Sequence, residues 1–465
     1  MRITNELSPT FCLAKWYHTS IYLHLGQTNS CYHPPPHQIG LDEISTDPSA
    51  LHNTLQKKKE RAEMLIGERP DGCKYCWNVE KLGSDYISDR MIKTYSIYTP
   101  ERFKAIDAAK WDQHINPEYI EVAFSNECNF KCGYCHPTSS SSYHSEIKQH
   151  GGYKDILNHG FEMKDIATMY EEDVNPYVQA WWEWWPSMSK DLNILRVTGG
   201  EPLMHRSTWR LFDNLRQDPK PQLELNVNSN LGVKTSLVEK LTDNVNDLIK
   251  HKKIKSFKLF SSMDSWGPRA EYMRTGLKLD LWEKNLDTFI MNTRSEISIM
   301  CTFNILSVTS FIGFLEKILE WRVKYNDVIT IQKTNVMLDR LYRKVRFDTP
   351  YLKEPLQYDM HLLPKEEFLP YFDKILKFID DNRIEGDVTK FSDLEYERFR
   401  RVRDYYANEH YPEEKLKEGR IDFYRWFTQY DKRRGVNFIE TFPEMENFWN
   451  LCKQLSDEKQ SSQDS

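Results

Sequence analysis

Between positions 16 and 25 the residues Tyr17, Thr19, Ile21, Leu23 and Leu25 alternate with Trp16, His18, Ser20, Tyr22 and His24, and Gly26-Gln27-Thr28-Asn29 follows. A period of two ending in turn residues predicts a strand running into a turn. From 49 to 66 the spacing changes. Leu51, Leu55, Ala62, Leu65 and Ile66 share an approximate face that Gly67 closes, which predicts a helix. A polar, mixed-charge connector fills 88–116. Strand patterns then recur at 119–125, 193–197, 222–227, 255–260, 296–303 and 327–332. Helical patterns separate them at 177–190, 206–217, 234–251, 281–292 and 311–325. Strands alternating with helices imply an α/β fold whose parallel sheet has right-handed crossovers and curls into part of a barrel. In such sheets the chemistry sits at the carboxyl ends of the strands.

Three stretches stand outside this alternation. Residues 138–175 form an insertion that starts with the polar run Thr138-Ser139-Ser140-Ser141-Ser142 and turns helical; a lid and a solvated excursion are both open for it. The run Trp181-Trp182-Glu183-Trp184-Trp185 reads as helix-face packing rather than a substrate platform. Beyond 336 the chain is charged, aromatic and mainly helical, with helices expected at 367–382 and 393–406 and disorder expected from Ser456 to Ser465.

Composition narrows the classes. A chain of 465 residues accommodates a catalytic core plus smaller domains. The net charge of -6 speaks against bulk electrostatic binding of nucleic acid. No apolar run has the length of a membrane span. The start, MRITNELSPT, lacks the basic-then-apolar pattern of a secretory signal, so a reducing, cytoplasmic setting is expected. In that setting clustered cysteines are metal ligands or redox groups more often than disulfides. Of the nine cysteines, Cys301 and Cys452 stand alone in apolar surroundings and are expected to be buried packing residues.

The other seven form two groups. Cys128, Cys132 and Cys135 lie in one tight loop directly after the strand at 119–125. Three thiolates are one short of the four ligands that close a structural zinc or electron-transfer site, so a metal position is left for a substrate or cofactor. In the N-terminal segment, Cys12 precedes the first strand, Cys31 follows its turn, and Cys73-x2-Cys76 comes after the helix. On its own the CxxC fits zinc, thiol redox chemistry or chance. With Cys12 and Cys31 the count is four, which closes a site.

The spacing Cys128-x3-Cys132-x2-Cys135, with Tyr134 before the last cysteine, resembles the signature loop of the radical S-adenosylmethionine enzymes. In that family the three thiolates hold a 4Fe-4S cluster whose fourth iron binds S-adenosylmethionine, and reductive cleavage yields a 5'-deoxyadenosyl radical. The downstream strand ends agree with the resemblance. Thr198-Gly199-Gly200-Glu201-Pro202 is similar to the family's GGEP motif, which contacts the cofactor's amino group; glycines permit close backbone approach and a carboxylate suits an ammonium. Asn228-Ser229-Asn230 looks like the polar strand end near the methionine carboxylate and ribose, with Ser229-Asn230 where Thr-Asn-Gly is commoner. Ser261-Ser262-Met263-Asp264-Ser265 resembles a further cofactor-facing strand end, with Ser262 as the candidate contact. By the same resemblance Tyr134 lies near the adenine. Phe130 and Lys131 receive no role, and Arg274 is a candidate only for pairing with some carboxylate.

The N-terminal segment looks like the auxiliary-cluster module called SPASM or its shortened form, twitch. It departs from that pattern by preceding the core and by having four cysteines, which implies one fully ligated auxiliary 4Fe-4S cluster, with structural zinc as the competing occupant. The resemblance therefore implies residues 1–90 as a small auxiliary iron-sulfur domain, 91–116 as connector, 117–335 as a partial (β/α)6 radical core, and 336–465 as a mainly helical extension. It also implies an electron donor such as flavodoxin or ferredoxin, and a substrate that is a peptide or protein. A small metabolite, sugar or nucleotide is the first rival substrate class; a non-catalytic iron-sulfur or zinc protein is the rival of a different kind. The C-terminal extension matches nothing, and its cluster Tyr430-Asp431-Lys432-Arg433-Arg434-Gly435 is expected to be a solvated face.

Overall fold

The computed structural model describes residues 10–81, 88–108, 110–158, 160, 161, 166, 169–326 and 343–461. The strands are β1 (His18–Tyr22), β2 (Gln27–Asn29), β3 (His37–Gln38), β4 (Tyr119–Ala123), β5 (Lys131–Cys132), β6 (Ile194–Thr198), β7 (Lys220–Ser229), β8 (Ile254–Ser262), β9 (Arg274–Thr275), β10 (Glu296–Met300) and β11 (Val345–Asp348). The longer helices run α1 (Leu55–Leu65), α2 (Ser141–His150), α3 (Pro176–Met188), α4 (Arg206–Gln217), α5 (Thr235–Lys250), α6 (Leu279–Asn292), α7 (Phe311–Asn326), α8 (Lys365–Asp381), α9 (Asp393–Asn408), α10 (Glu413–Arg434) and α11 (Glu446–Ser461). The chain divides into two compact units, one built from 1–126, 168–227 and 248–257, the other from 127–167, 228–247 and 258–465.

In the first unit β7, β6, β4 and β1 are parallel neighbours, and β2 and β3 add antiparallel strands beyond β1. Ile120 and Val122 of β4 and Leu195 and Val197 of β6, spaced by two, are fully buried on one face, while Glu121 and Arg196 between them are half-buried. The N-terminal strand was expected inside a small separate module. It instead pairs in register with the first strand of the alternating region, Ile21 opposite Val122. The expected helix at 49–66 also differs. A 3-10 turn occupies Pro48–Leu51, and α1 starts afresh at Leu55, where the Thr54 hydroxyl accepts the Lys57 N–H at 3.1 Å. The connector is helical over Asp89–Ile97 and Pro100–Asp107, and its Ile97 and Ile106 share a core with Phe11, Leu13, Trp16, Met64 and Trp77. On α3, Trp181, Trp184 and Trp185 are buried, so the tryptophan run packs.

In the second unit β8, β10 and β11 are parallel, with β10 in the middle. The strand expected at 327–332 lies outside the described residues, and β11 comes from the segment read as helical extension. Cys301 and Cys452 are buried, as expected of packing residues. Disorder was expected from Ser456, but α11 continues to Ser461 because Phe448 and Cys452 anchor it in the core. The insertion is tied down through Asp422 of α10, which accepts hydrogen bonds from Leu157 N (2.6 Å), Asn158 N (3.0 Å) and Asn158 Nδ2 (2.6 Å). Tyr153 stacks on Trp426 with centroids 3.8 Å apart.

Candidate functional site

The three-cysteine loop belongs to the second unit and is held from both ends. Its serine-rich sequel supplies the N-cap and first residues of α2. Ser140 Oγ accepts the Tyr143 N–H and donates to Phe130 O, Ser141 Oγ accepts the Cys128 N–H at 3.1 Å, and Ser142 Oγ donates to Cys128 O at 2.7 Å. Further along, β5 pairs with β9, placing Lys131 opposite Thr275 and Cys132 opposite Arg274. The Gly133 N–H donates to Met273 O, and the Cys135 N–H to Cys132 O.

Donors point at the sulfurs. Cys128 Sγ accepts the Phe130 N–H at 3.4 Å and Asn230 Nδ2 at 3.9 Å, and Cys132 Sγ accepts Arg274 Nη1 at 3.7 Å. Such contacts favour a sulfur carrying negative charge, whether thiolate or cluster ligand. Burial pushes the Cys132 thiol up and the Cys135 thiol up to about 12, so without a metal these sulfurs keep their protons.

Asn230, read from the sequence as a cofactor contact, also braces the loop: its amide nitrogen donates to Asn129 Oδ1 at 2.8 Å, and its Oδ1 accepts the Gly232 N–H at 2.7 Å. Ser229 is buried and its Oγ accepts the Leu231 N–H at 3.0 Å. Ser262 ends β8, half-buried, opposite Met300 of β10. Tyr134 donates its hydroxyl to Asp264 Oδ2 and carries the Arg274 guanidinium 5.5 Å above its ring centroid. Phe130, which had no role in the sequence, packs so closely on Gly232 that a Cβ there would come 2.1 Å from its ring.

Asp264 and Arg274 form the centre that sequence reasoning undervalued. Asp264 is fully buried and accepts Arg274 Nε at 2.9 Å, Arg274 Nη2 at 3.0 Å and the Thr302 N–H at 2.8 Å, besides the Tyr134 hydroxyl. Arg274, expected at most to pair with some carboxylate, finds it in Asp264, ten residues away across a short helix. The C-terminal cluster corrects an expectation more sharply. Tyr430 is buried, Asp431 accepts the Tyr272 hydroxyl at 2.7 Å, and the Arg434 side chain is 0% exposed because Glu146 and the loop backbone give its charge partners, while Lys432 and Gly435 are exposed.

The GGEP string lies in the first unit at the end of β6. Gly199 has φ +114, a value that favours glycine, and a Cβ there would meet Ser125 O at 2.6 Å. The Gly200 N–H donates to Ser125 O at 3.1 Å. Glu201 is fully buried and its Oε1 accepts the Leu203 N–H at 3.1 Å, which caps the turn at Pro202–Met204.

Also in the first unit, Cys12, Cys31, Cys73 and Cys76 line one cavity together with Lys15, His33, Asp89 and Arg90. Sequence separations of up to 64 residues are closed by the core around Phe11, Trp16 and Trp77. Lys15 is buried in an ion pair with Glu60 at 2.6 Å. Burial, then Cys73 and Cys31, pushes the Cys12 thiol up to about 11; burial pushes Cys76 up to about 12 and Cys73 upward. Among the described residues no group of three or more His, Cys, Asp or Glu side chains forms a ready-made single-ion site.

No family model matches the chain. Two curated relatives, both named GTP 3',8-cyclase, are similar over 126 residues: that of Sulfurovum sp. (strain NBC37-1) at 24% identity and that of Nautilia profundicola (strain ATCC BAA-1463 / DSM 18972 / AmH) at 25%. The matched segment is 27% of this chain and spans 31% of the length of each relative. Among solved structures, native anSMEcpe with bound AdoMet and Kp18Cys peptide is similar at 14% identity and TM-score 0.32, over 56% of this chain and 60% of that one. The same protein with AdoMet and Cp18Cys peptide is similar at 15% identity and TM-score 0.30, over 56% and 59%. No helix among the described residues is long and apolar enough to cross a membrane.

Proposed function

We propose that this chain, a member of the radical S-adenosylmethionine superfamily, is an enzyme that abstracts a hydrogen atom from a peptide or protein substrate. The observation that carries the reading is the loop of Cys128, Cys132 and Cys135, three thiols with N–H donors aimed at two of their sulfurs. A 4Fe-4S cluster bound there with one iron free of protein ligands would supply the electron for reductive cleavage of S-adenosylmethionine to the 5'-deoxyadenosyl radical. The chain's own work is to hold and to shield. Asn230 and Arg274 direct positive dipoles and charge at the sulfurs, and Tyr134 is fixed by Asp264 in a single orientation. In this reading Gly199 and Gly200 give the close backbone approach that a bound amino acid group needs, and Glu201 supplies the carboxylate for its ammonium. The resemblance assigns Ser229, Asn230 and Ser262 to the same cofactor. Exclusion of water during turnover would protect a reactive radical.

The cavity lined by Cys12, Cys31, Cys73 and Cys76 supports a second, fully ligated 4Fe-4S cluster, with Lys15 and Arg90 as cations beside an anionic group. Such a site would accept the electron left on the substrate or bind the substrate directly, and a flavodoxin or ferredoxin would supply the reducing electron. The peptide assignment rests on the likeness of this module to SPASM and twitch domains. A nucleotide substrate is the second reading, favoured by the two relatives named GTP 3',8-cyclase.

Incubating the anaerobically reconstituted, reduced protein with candidate peptides and with nucleoside triphosphates, and following substrate mass and 5'-deoxyadenosine together, separates the two. A peptide losing hydrogen mass in step with deoxyadenosine supports the first reading; turnover of GTP alone replaces it with the second. Zinc at about one per chain in place of the second cluster would overturn the auxiliary assignment.

A further inference from the structure

We propose that the last turn of α10 is a working part of the open-cluster site, with Arg434 as the positioning residue that fixes the strand carrying Cys132. The inference rests on reading Cys128, Cys132 and Cys135 as the ligands of that cluster.

A site with three protein ligands has fewer tethers than a closed one, and here the tether is weak. Strands β5 and β9 have two residues each, too short a ladder to hold its own geometry. Something outside the pair must impose it. Arg434, 303 residues beyond Lys131, does so with one guanidinium. Its Nη1 donates to Lys131 O at 2.6 Å and to Thr275 Oγ1 at 3.1 Å, so a single nitrogen grips both strands. Its Nε and Nη2 donate to Glu146 of α2 at 3.0 and 3.2 Å. Glu146 in turn takes Lys131 Nζ at 2.7 Å and the Tyr153 hydroxyl at 2.9 Å. One turn earlier, Tyr430 donates to Tyr272 O and shares a hydrogen bond with Thr275 Oγ1, and its ring lies 4.0 Å from the Arg434 carbon.

The chemistry of this arrangement is specific to arginine. A guanidinium spans a backbone carbonyl, a hydroxyl and a carboxylate in one plane, whereas an ammonium is a point charge that satisfies one of them well. Glu146 matches the buried charge, and phenol faces cover it, so the cation is held rather than merely tolerated. The four-thiol cavity lies in the other compact unit and contains none of these residues, so its iron serves as an internal control.

The test compares wild type with Arg434→Gln, Arg434→Lys and Thr275→Val, each full length and reconstituted anaerobically. Iron release to a chelator is followed in time, and the EPR spectrum of the reduced protein is recorded with and without S-adenosylmethionine. Arg434→Gln and Arg434→Lys should release half of their iron about tenfold faster than wild type, the equivalent of one hydrogen bond to a charged group. Thr275→Val keeps the Arg434–Glu146 pair but removes the hydroxyl bonded to Arg434 and Tyr430, and should release that half at least about threefold faster, in line with loss of weaker, partly replaceable hydrogen bonds. In all three the other half should leave at the wild-type rate, and the cofactor-induced EPR change should weaken. Wild-type release kinetics and EPR response in Arg434→Lys and Thr275→Val overturn the proposal, whether or not Arg434→Gln folds. A wild-type protein that binds no iron at Cys128, Cys132 and Cys135 refutes the functional reading instead.

Discussion

Replacing Asp264 by asparagine attacks a buried, heavily bonded carboxylate beside the loop. Asp264 is 0% exposed and accepts four hydrogen bonds, two of them from the Arg274 fork at 2.9 and 3.0 Å. Asparagine keeps one acceptor oxygen but turns an NH2 group toward two of those donors. It also leaves Arg274, itself buried, without its counter-charge. Breaking one partner of a buried pair costs about 3–5 kcal/mol. For a unit or chain of this size, at about 1–2 °C per kcal/mol, the melting temperature should fall by about 3–10 °C. Differential scanning calorimetry of the metal-free protein measures this directly. The double variant Asp264→Leu with Arg274→Met removes both charges and should recover at least half of the loss, since a buried pair replaced as a whole is close to neutral. An Asp264→Asn variant melting within about 2 °C of wild type, or a double variant no better than the single, would refute the idea that this pair is a tightly coupled brace.

Two further outcomes follow from the same geometry. Gly133→Ala places a Cβ 1.9 Å from the Tyr358 hydroxyl oxygen and 2.9 Å from the Tyr430 ring, so it should cost about 1–3 kcal/mol and reduce iron loading; adding Tyr358→Phe should restore part of both, as read by thermal melts and iron analysis. Acid should weaken the fold through its buried histidines. Burial, then Arg61 and Lys57, drives His52 well below the ordinary histidine range, and burial takes His18 down to about 3 and His37 to about 4. Each folded pKa lies below the unfolded value of about 6.5, so the unfolded chain takes up the extra protons. Stability is therefore complete above about pH 6.5 and is lost as pH falls below it. Urea titrations at stepped pH should show that slope, and His52→Gln should flatten it; a flat profile between pH 7 and 4.5 contradicts the assignment.

Much of this was legible in local pattern. Periodicity located β4, β6, β7, β8 and β10 and helices α3 to α9 to within a few residues, because each buries a face whose spacing is written in consecutive positions. Cysteine spacing drew attention to the loop, since three thiols within eight residues need no distant partner. What the sequence concealed depends on distance along the chain. Parallel pairing of β1 with β4 joins residues about a hundred apart and leaves no mark in either segment. Arg434 reads as one charge in a charged run, and only the fold brings it to Lys131 and Glu146. Asp422 likewise looks like an exposed helix residue until Leu157 and Asn158 arrive to fill it. The helix break at His52-Asn53-Thr54 was missed because the apolar spacing continues through it, while the Thr54 cap and the bonds of Asn53 to Ile115 outweigh that spacing.

The central claim is that the three-cysteine loop binds the group that cleaves S-adenosylmethionine. Its most direct test is 5'-deoxyadenosine formed by the reduced, reconstituted protein beside a variant in which Cys128, Cys132 and Cys135 are alanine. The wild type should hold about eight irons and form deoxyadenosine, while the variant should keep about four and form none. A fully loaded, reduced wild type that forms no deoxyadenosine even with substrate candidates present, or a variant that forms as much as wild type, would contradict it.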